Sequence, residues 1–347
     1  MRRFDYSFLS SSSVPSSFIS IVSRICSLSG VSVFLKRENP GLFSALENMA
    51  KVNSVRASSA IEGVVSTFER ITAIVSGNVP PVTHDEEEIA GYRDALNWIH
   101  TSYMSIPVSE DTILELHRLL FSMSSEKKGG VYKSEDNVII DIDADGGRTV
   151  RFVPVSAVET PSAMKELILA YMEARDSGVS SLLLIPCFVL DFLCIHPFSD
   201  GNGRLSRLLT LLLLYRSGFD VGRYISFENA VNEHKGMYYD ALKQSSISWR
   251  EGKNDYNPFV RYNLLMLALC YDDLGKHISL LDGTRAKKTS AVEKAVCGSR
   301  KEISKKEIML LLPTVSVSTI EAELTRLVKS GKIVKVGNGP GTKYRKA

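Results

Sequence analysis

At 347 residues, with 44% apolar and 23% charged side chains, the chain is long enough for more than one domain and has a globular balance. Its longest apolar run, Leu182–Ile195, is too short to cross a bilayer and contains Pro186 and Asp191, so it reads as core and no membrane span is expected. The net charge of +3 conceals an asymmetry: from Arg285 onward 15 basic residues face 5 acidic ones, whereas the preceding body is net acidic.

The opening Met-Arg-Arg-Phe-Asp-Tyr is followed by no apolar h-region, so no secretion signal is expected. Helices are predicted over Ser16–Leu28 and Leu42–Val52, divided by a Gly-Val-Ser segment and by Asn39-Pro40-Gly41. From Ala57 to Ile74 the apolar residues Ile61, Val64, Val65, Phe68 and Ile71 keep a helical spacing. Glu62-Gly63 interrupts that pattern. Glycine costs roughly 1 kcal/mol inside a helix, so the plain reading is a helix that ends at Gly63 with Glu62 solvated in its last turn. An acid at a helix C-terminus opposes the macrodipole, however, and calls for something to offset it.

Further helices are predicted at Asp85–Met104, with Ile89, Tyr92, Ala95, Leu96 and Ile99 on one face, and at Glu110–Met123, capped by Ser109. The period then changes. Val138-Ile139-Ile140 and Thr149–Val153 are β-type runs joined through Asp145-Gly146-Gly147, a hairpin. Asp141–Gly146 matches the first six positions of an EF-hand loop, but Phe152 stands at the twelfth and strands flank it, which argues against calcium. Helices follow at Ala163–Ser177, Leu182–Ile195, Arg204–Ser217, Glu233–Ser245 and Pro258–Ile278. The five cysteines (Cys26, Cys187, Cys194, Cys270, Cys297) form no Cys-x-x-Cys pair, and four sit in apolar surroundings. Free buried thiols in a reducing cytoplasm are expected.

The stretch His196–Arg207 lies between two deeply apolar helices. Gly201-Asn202-Gly203 at a helix start offers successive backbone N–H groups to an anion. Arg204 and Arg207 share a face of the first turn, where two guanidiniums oppose the macrodipole unless an anion sits among them. Asp200 suits a Mg²⁺ ion between itself and phosphates. His196, ordinarily near pKa 6.5, can take a proton from a hydroxyl. Alone, the histidine reads as a core residue and the glycines as a turn; together they read as phosphoryl or nucleotidyl transfer.

At this point the stretch resembles the signature of the Fic family, His-x-Phe-x-Asp/Glu-Gly-Asn-Gly-Arg-x-x-Arg, with every specified position present in His196–Arg207. The resemblance implies a protein adenylyltransferase that passes AMP from ATP to a Ser, Thr or Tyr hydroxyl. It implies that His196 is the base, Asp200 holds Mg²⁺, Gly201, Asn202, Gly203 and Arg204 hold phosphates, and Arg207 meets the γ-phosphate. The hairpin Val138–Val153 resembles the family's flap, which clamps a target by strand addition; Val138, Ile139, Ile140 and Phe152 are its expected contacts. Tyr238-Tyr239 resembles the tyrosine pair near adenine, with Ser246 where the family often has Asn. Ser58-x-x-x-Glu62-Gly63 resembles the family's inhibitory motif, which implies that Glu62 pairs with Arg207 and blocks the γ-phosphate. In some relatives the same Glu aligns a water that removes AMP, so a bifunctional enzyme stays open.

Residues Ser290–Ala347 resemble a winged helix-turn-helix: helices Ala291–Cys297 and Lys305–Leu312, a turn at Pro313-Thr314, and a third helix from Ser316 or Ser318 with Ile320, Leu324, Leu327 and Val328 inward. The wing would comprise Lys332–Val336 and Thr342–Arg345, with Lys343, Arg345 and Lys346 on DNA phosphates; a protein-interaction module is the bland alternative. The expected fold is therefore mainly α: a Fic-type helical core with a β-hairpin flap, plus a small α+β winged-helix domain. The expected division is an N-terminal helical region (1–105), a core (106–280), a linker (281–289) and the basic domain (290–347). Expected partners are ATP, a protein target or the chain itself, and DNA through residues 290–347; a homodimer stays open. The competing function is a DNA-binding regulator whose Fic core senses nucleotide.

Overall fold

The computed structural model describes residues 2–11, 15–64, 66–124, 129–142, 147–281, 285–299, 302–312 and 315–347. The hairpin tip at 143–146, Val65, and the Pro313-Thr314 turn lie outside the described residues. Six helices open the chain: α1 (Phe8–Ser11), α2 (Ser16–Glu38), α3 (Pro40–Ile61), α4 (Phe68–Val75), α5 (His84–Ser102) and α6 (Glu110–Leu120). The starts of α4, α5 and α6 are fixed by Thr67, Thr83 and Ser109, whose side-chain oxygens accept from the N–H groups of Arg70, Glu86 and Thr112.

Then come β1 (Ile139–Ile142) and β2 (Arg148–Phe152), an antiparallel hairpin, and the helices α7 (Thr160–Asp176), α8 (Ser181–Ile195), α9 (Asn202–Arg216), α10 (Phe227–Glu233), α11 (Lys235–Ser246) and α12 (Asn257–Leu281). Helix α8 has every residue from Leu182 to Ile195 buried, because α7, α9, α11 and α12 surround it. Its one carboxylate, Asp191, accepts hydrogen bonds from Tyr6 Oη (2.7 Å), Trp249 Nε1 (2.6 Å) and Tyr256 Oη (2.9 Å). The N-terminal segment is thereby tied to α8: Arg2 also lies 3.8 Å from Asp191 and 4.8 Å from the centre of the Trp249 ring.

The C-terminal part comprises α13 (Arg285–Cys297), β3 (Ile303–Ser304), α14 (Lys305–Leu311), α15 (Val317–Lys329), β4 (Ile333–Val336) and β5 (Lys343–Lys346), with strand order β3-β5-β4. A second apolar cluster, including Val292, Val296, Ile308, Ile320, Leu324, Leu327 and Ile333, forms its core. This part thus has three helices and a small antiparallel sheet, with β3 as a strand the sequence did not suggest.

The structure departs from expectation at several boundaries. Helix α2 runs through Gly30 to Glu38 and is, by length and composition, long and apolar enough to cross a membrane. Gly30 and its neighbouring serines suggested a break, yet α2 continues. The end of a helix at Gly63 agrees with expectation: Gly63 takes φ 87° and closes α3, so Ala57–Ile74 is two helices. Glu233–Ser245 is divided at His234, whose Nδ1–H donates to the Ala230 carbonyl at 2.9 Å. The segment expected as a linker is helical at both described ends, Leu281 in α12 and 285–289 in α13. Only Cys187, Cys194 and Cys270 are buried; Cys26 is exposed, and all five cysteines are free.

Candidate active site

Helix α8 ends on His196, which takes φ 52° and ψ 60°, a left-handed conformation uncommon for a residue with a side chain. That turn reverses the chain into the loop before α9. Asn202 holds the loop closed: its Oδ1 accepts from the Phe198 N–H (3.0 Å) and its Nδ2 donates to the Phe198 carbonyl (2.7 Å). The loop is packed from behind by His117, stacked on the Phe198 ring at 3.7 Å and 11°. His117 Nδ1 accepts from the Gly130 N–H (2.8 Å), so its Nε2–H donates to the Asp200 carbonyl (3.1 Å).

His196 Nδ1 lies 3.3 Å from the Leu193 carbonyl, which can only accept. The proton therefore sits on Nδ1, and Nε2 keeps its lone pair. Burial pushes the His196 pKa down to about 4; the nearby cations Lys133 and Arg151 add to the depression, while the Leu193 carbonyl and Glu62 oppose it. The imidazole is neutral at pH 7 and able to accept a proton.

At the start of α9, Gly201 takes φ 80° as N-cap and Asn202 opens the helix. Arg207 is buried; its Nε donates to Ser58 Oγ (3.1 Å), and Nη2 donates to the Ser58 carbonyl (3.1 Å) and to Glu62 Oε1 (2.8 Å). A Cβ added at Gly203 would lie 2.5 Å from that same Glu62 oxygen, so the carboxylate rests on the Gly203 backbone. The Glu62 carboxylate thus lies against Gly203 in the first turn of α9. Helix α3 presents it there: Gly63, left-handed, ends the helix, and the N–H groups of Glu62, Gly63 and Val64 donate to carbonyls of Ser59 and Ala60. Lys235 Nζ donates to the neighbouring Ile61 carbonyl at 2.6 Å, a cation at the helix C-terminus that favours the dipole.

Arg204 turns the other way. It pairs with Glu88 of α5 at 2.8 Å, lies 5.3 Å from the Phe121 ring centre, and has a 3.4 Å contact with Asp200. Its Nε is buried with no hydrogen-bond partner, among the described residues. The expectation that Arg204 and Arg207 clamp from one face is thus corrected: each is drawn to a different carboxylate on a different helix. Asn202 is likewise engaged within the loop rather than extended toward a ligand.

A cleft of about 190 Å³ joins Glu62, His196, Gly203, Arg207, Tyr238 and Tyr239 with Ile139 and Phe152 of the hairpin, and with Arg151, Leu193, Cys194, Leu242 and Ser246. Tyr238 and Tyr239 form an edge-to-face pair at 5.2 Å. Asp200, Gly201, Asn202 and Arg204 lie outside this lining, as do Ser58, Gly63 and the exposed hairpin residues Val138 and Ile140. The Asp200 side chain is half exposed, with Oδ1 accepting from the Gly201 N–H at 2.6 Å. A single carboxylate fits Mg²⁺, which completes its shell with water and substrate phosphates. No group of three or more His, Cys, Asp or Glu able to hold a metal occurs among the described residues.

Three contributors carried no signal in the sequence. Glu88 and His117 sit in ordinary amphipathic helices. Lys133 is buried, donating to Asn137 Oδ1 (2.9 Å) and to the Ile195 carbonyl (3.3 Å); burial draws its pKa down to about 8.

A helical core thus places a neutral histidine, the Gly203 backbone and the buried Arg207 guanidinium around one cleft. Residues 107–214 match the family model described as the Fic/DOC family, and the chain carries a Fic/DOC-type domain. It is 27% identical over 209 residues to protein adenylyltransferase fic-1 of Caenorhabditis elegans, covering 58% of this chain and 37% of that protein. It is 26% identical over 211 residues to protein adenylyltransferase Fic of Nematostella vectensis, covering 59% and 44%. The chain thus spans less than half the length of these curated relatives. Among solved structures, a Fic family protein from Desulfovibrio desulfuricans shares the fold at TM-score 0.63 and 21% identity, over 96% of this chain and 97% of that one. A Fic-domain signalling protein from Bacteroides thetaiotaomicron does so at TM-score 0.60 and 24% identity, over 74% and 95%.

Proposed function

We propose that this chain is a protein adenylyltransferase, transferring AMP from ATP to a Ser, Thr or Tyr hydroxyl of a protein or of itself, and restrained by Glu62. The observation that carries the reading is the Glu62 carboxylate seated between Arg207 and the Gly203 backbone, beside a neutral His196. ATP would span from Tyr238-Tyr239 at the base end to Gly203 and Arg207 at the phosphate end. Its terminal phosphate and the Glu62 carboxylate then compete for one guanidinium. His196 Nε2 takes the proton of the attacking hydroxyl. Asp200 would hold Mg²⁺, whose charge offsets that of the phosphates when it is bound. The hairpin edge, with Val138, Ile140, Val150 and Val153 exposed, suits strand addition by an extended target segment. The printed names of the relatives, protein adenylyltransferase, support the same chemistry.

Incubation with labelled ATP and Mg²⁺ tests this. Glu62→Gly is expected to raise self-labelling at least tenfold over the unmodified chain, and His196→Ala in that background to abolish it. Equal labelling with and without Glu62 overturns the restraint; labelling that survives His196→Ala overturns the chemistry.

A second reading concerns the basic domain. Lys343, Arg345 and Lys346 are exposed on β5, with Lys335 exposed on β4. The outward face of α15 carries Glu321, paired with Lys305 at 2.7 Å. We therefore place DNA phosphate contacts on the wing. Affinity for duplex DNA should fall steeply with salt and weaken when Lys343, Arg345 and Lys346 are replaced together by alanine; salt-independent binding speaks against it.

A further inference from the structure

The hairpin pairs Ile139 with Phe152 but Ile140 with Val150, so Arg151 is an extra residue on β2, a β-bulge. In a regular strand neighbouring side chains point to opposite faces. Here Arg151 and Phe152 both line the cleft, because the bulge turns Arg151 inward. On the same face of β1, Asp141 Oδ1 lies 3.5 Å from Arg151 Nη1, and its other oxygen is 3.8 Å from Lys243. That carboxylate is shared and partly exposed, a weak hold on the guanidinium.

The position along the cleft is informative. The positive charge of Arg151 is felt by His196 and by Tyr239. Arg151 lines the same cleft as His196 and the Tyr238-Tyr239 pair, while Arg207 is held by Ser58 and Glu62. Of the lining residues, Arg151 and Arg207 bring guanidiniums, and Glu62 answers only the second.

Building on the adenylyl-transfer reading above, we propose that Arg151 is a catalytic residue of the flap that contacts the α-phosphoryl group of ATP and neutralises charge as it is transferred. In that step the target oxygen forms a bond to the α-phosphorus and the bond from that phosphorus to the pyrophosphate oxygen breaks. The electron pair leaves with pyrophosphate, and the hydroxyl proton passes to His196 Nε2. Negative charge gathers on the non-bridging α-oxygens, where a donor held by the folded chain counts for more than water. Because Arg151 rides on the element that would receive the target, flap and transfer centre are joined: a displaced flap withdraws the guanidinium.

The test uses the full chain carrying Glu62→Gly, with Arg151 intact, Arg151→Ala or Arg151→Lys. Self-labelling by ATP and by the two α-thiophosphate diastereomers of ATP is measured, together with the affinity of a fluorescent ATP analogue. Arg151→Ala is expected to lower kcat by about 10²-fold, with KM and analogue affinity within threefold. The rate ratio of the two diastereomers should change, because only one non-bridging oxygen faces the guanidinium, and Arg151→Lys should recover part of kcat. An unchanged kcat, an unchanged diastereomer ratio, or a loss of analogue affinity matching the loss of rate overturns the assignment. If the Arg151-intact chain labels nothing, the adenylyl-transfer reading fails and this inference falls with it. If that chain labels and Arg151→Ala labels equally, only the role of Arg151 falls.

Discussion

Glu62 Oε1 and Arg207 Nη2 are 2.8 Å apart, and the same oxygen lies where a side chain at Gly203 would begin. The pair joins the end of one helix to the start of another, and neither member is idle without the other. Arg207 is almost wholly buried, whereas Glu62 keeps about a third of its side chain exposed. Losing Glu62 leaves the guanidinium its two bonds to Ser58, so Arg207 stays in place and the cradle opens. Glu62→Gln keeps the shape but not the charge. Its self-labelling should fall between those of the unmodified chain and Glu62→Gly, read as initial rates at saturating ATP.

Ser58 holds the guanidinium from the other side. Ser58→Ala removes the hydroxyl that accepts from Arg207 Nε while sparing the backbone carbonyl. A hydrogen bond to a buried charged group contributes about 1.5–3 kcal/mol, so thermal unfolding should come a few degrees earlier. Labelling should rise, but less than in Glu62→Gly. A rise as large as that of Glu62→Gly would show that Ser58, not Glu62, sets the restraint.

Two histidines packed around the loop give the fold an acid limit. Burial depresses both His117 and His196 to about 4, opposed at His117 by the Asp200 carbonyl. In the unfolded chain they titrate near 6.5, so between pH 6.5 and 4 the unfolded state binds more protons. The stability contributed by the neutral rings is whole above pH 6.5 and is lost as pH falls through 4, on the order of a few kcal/mol for the two. Urea melts at pH 7.5 and 4.5 should show this, and His117→Phe should flatten the difference. The acid limb of kcat/KM for the Glu62→Gly chain should likewise lie near pH 4 to 5 rather than 6.5.

Asn202 and Asp191 are tests of structure rather than chemistry. Asn202→Ala removes both side-chain bonds to Phe198 within a buried loop, which should cost about 1–3 kcal/mol and lower labelling more than it lowers ATP-analogue affinity. Asp191→Ala leaves Tyr6, Trp249 and Tyr256 without their shared acceptor and Arg2 without its counter-ion. A loss of about 3–5 kcal/mol is expected by chemical denaturation. Trp249 also touches Phe152 of the flap, with ring centres 6.0 Å apart, so labelling should fall alongside stability.

The sequence carried the loop, the helices around it and the end of α3, because those are local: glycine at a left-handed position, apolar runs that can only be buried, caps at the right offsets. It did not carry the directions in which side chains turn. Arg204 and Arg207 are three apart on one helix, yet Glu88 and Ser58–Glu62 pull them to different neighbours, and those neighbours come from distant segments. Arg151 gave no signal either, since a strand of alternating residues sends it outward and only a bulge sends it in. Helix α2 was misjudged for the opposite reason. The local cost of Gly30, roughly 1 kcal/mol, was weighed as a break, whereas a 23-residue helix anchored by Phe18, Ile25 and Ser32 absorbs it.

Glu62 stands one residue beyond the last turn of α3, a helix whose body is fastened by buried residues from Leu42 to Ile61. Lifting the carboxylate from Arg207 therefore requires only that one helical turn fray, with the rest of α3 staying in place. Ends of helices loosen far more readily than their middles, and they do so gradually with temperature. On the proposed reading, such a restraint behaves as a spring-loaded latch rather than a bolted door. It leaks a little at rest, leaks more when warmed, and yields to any partner that pulls on a single turn.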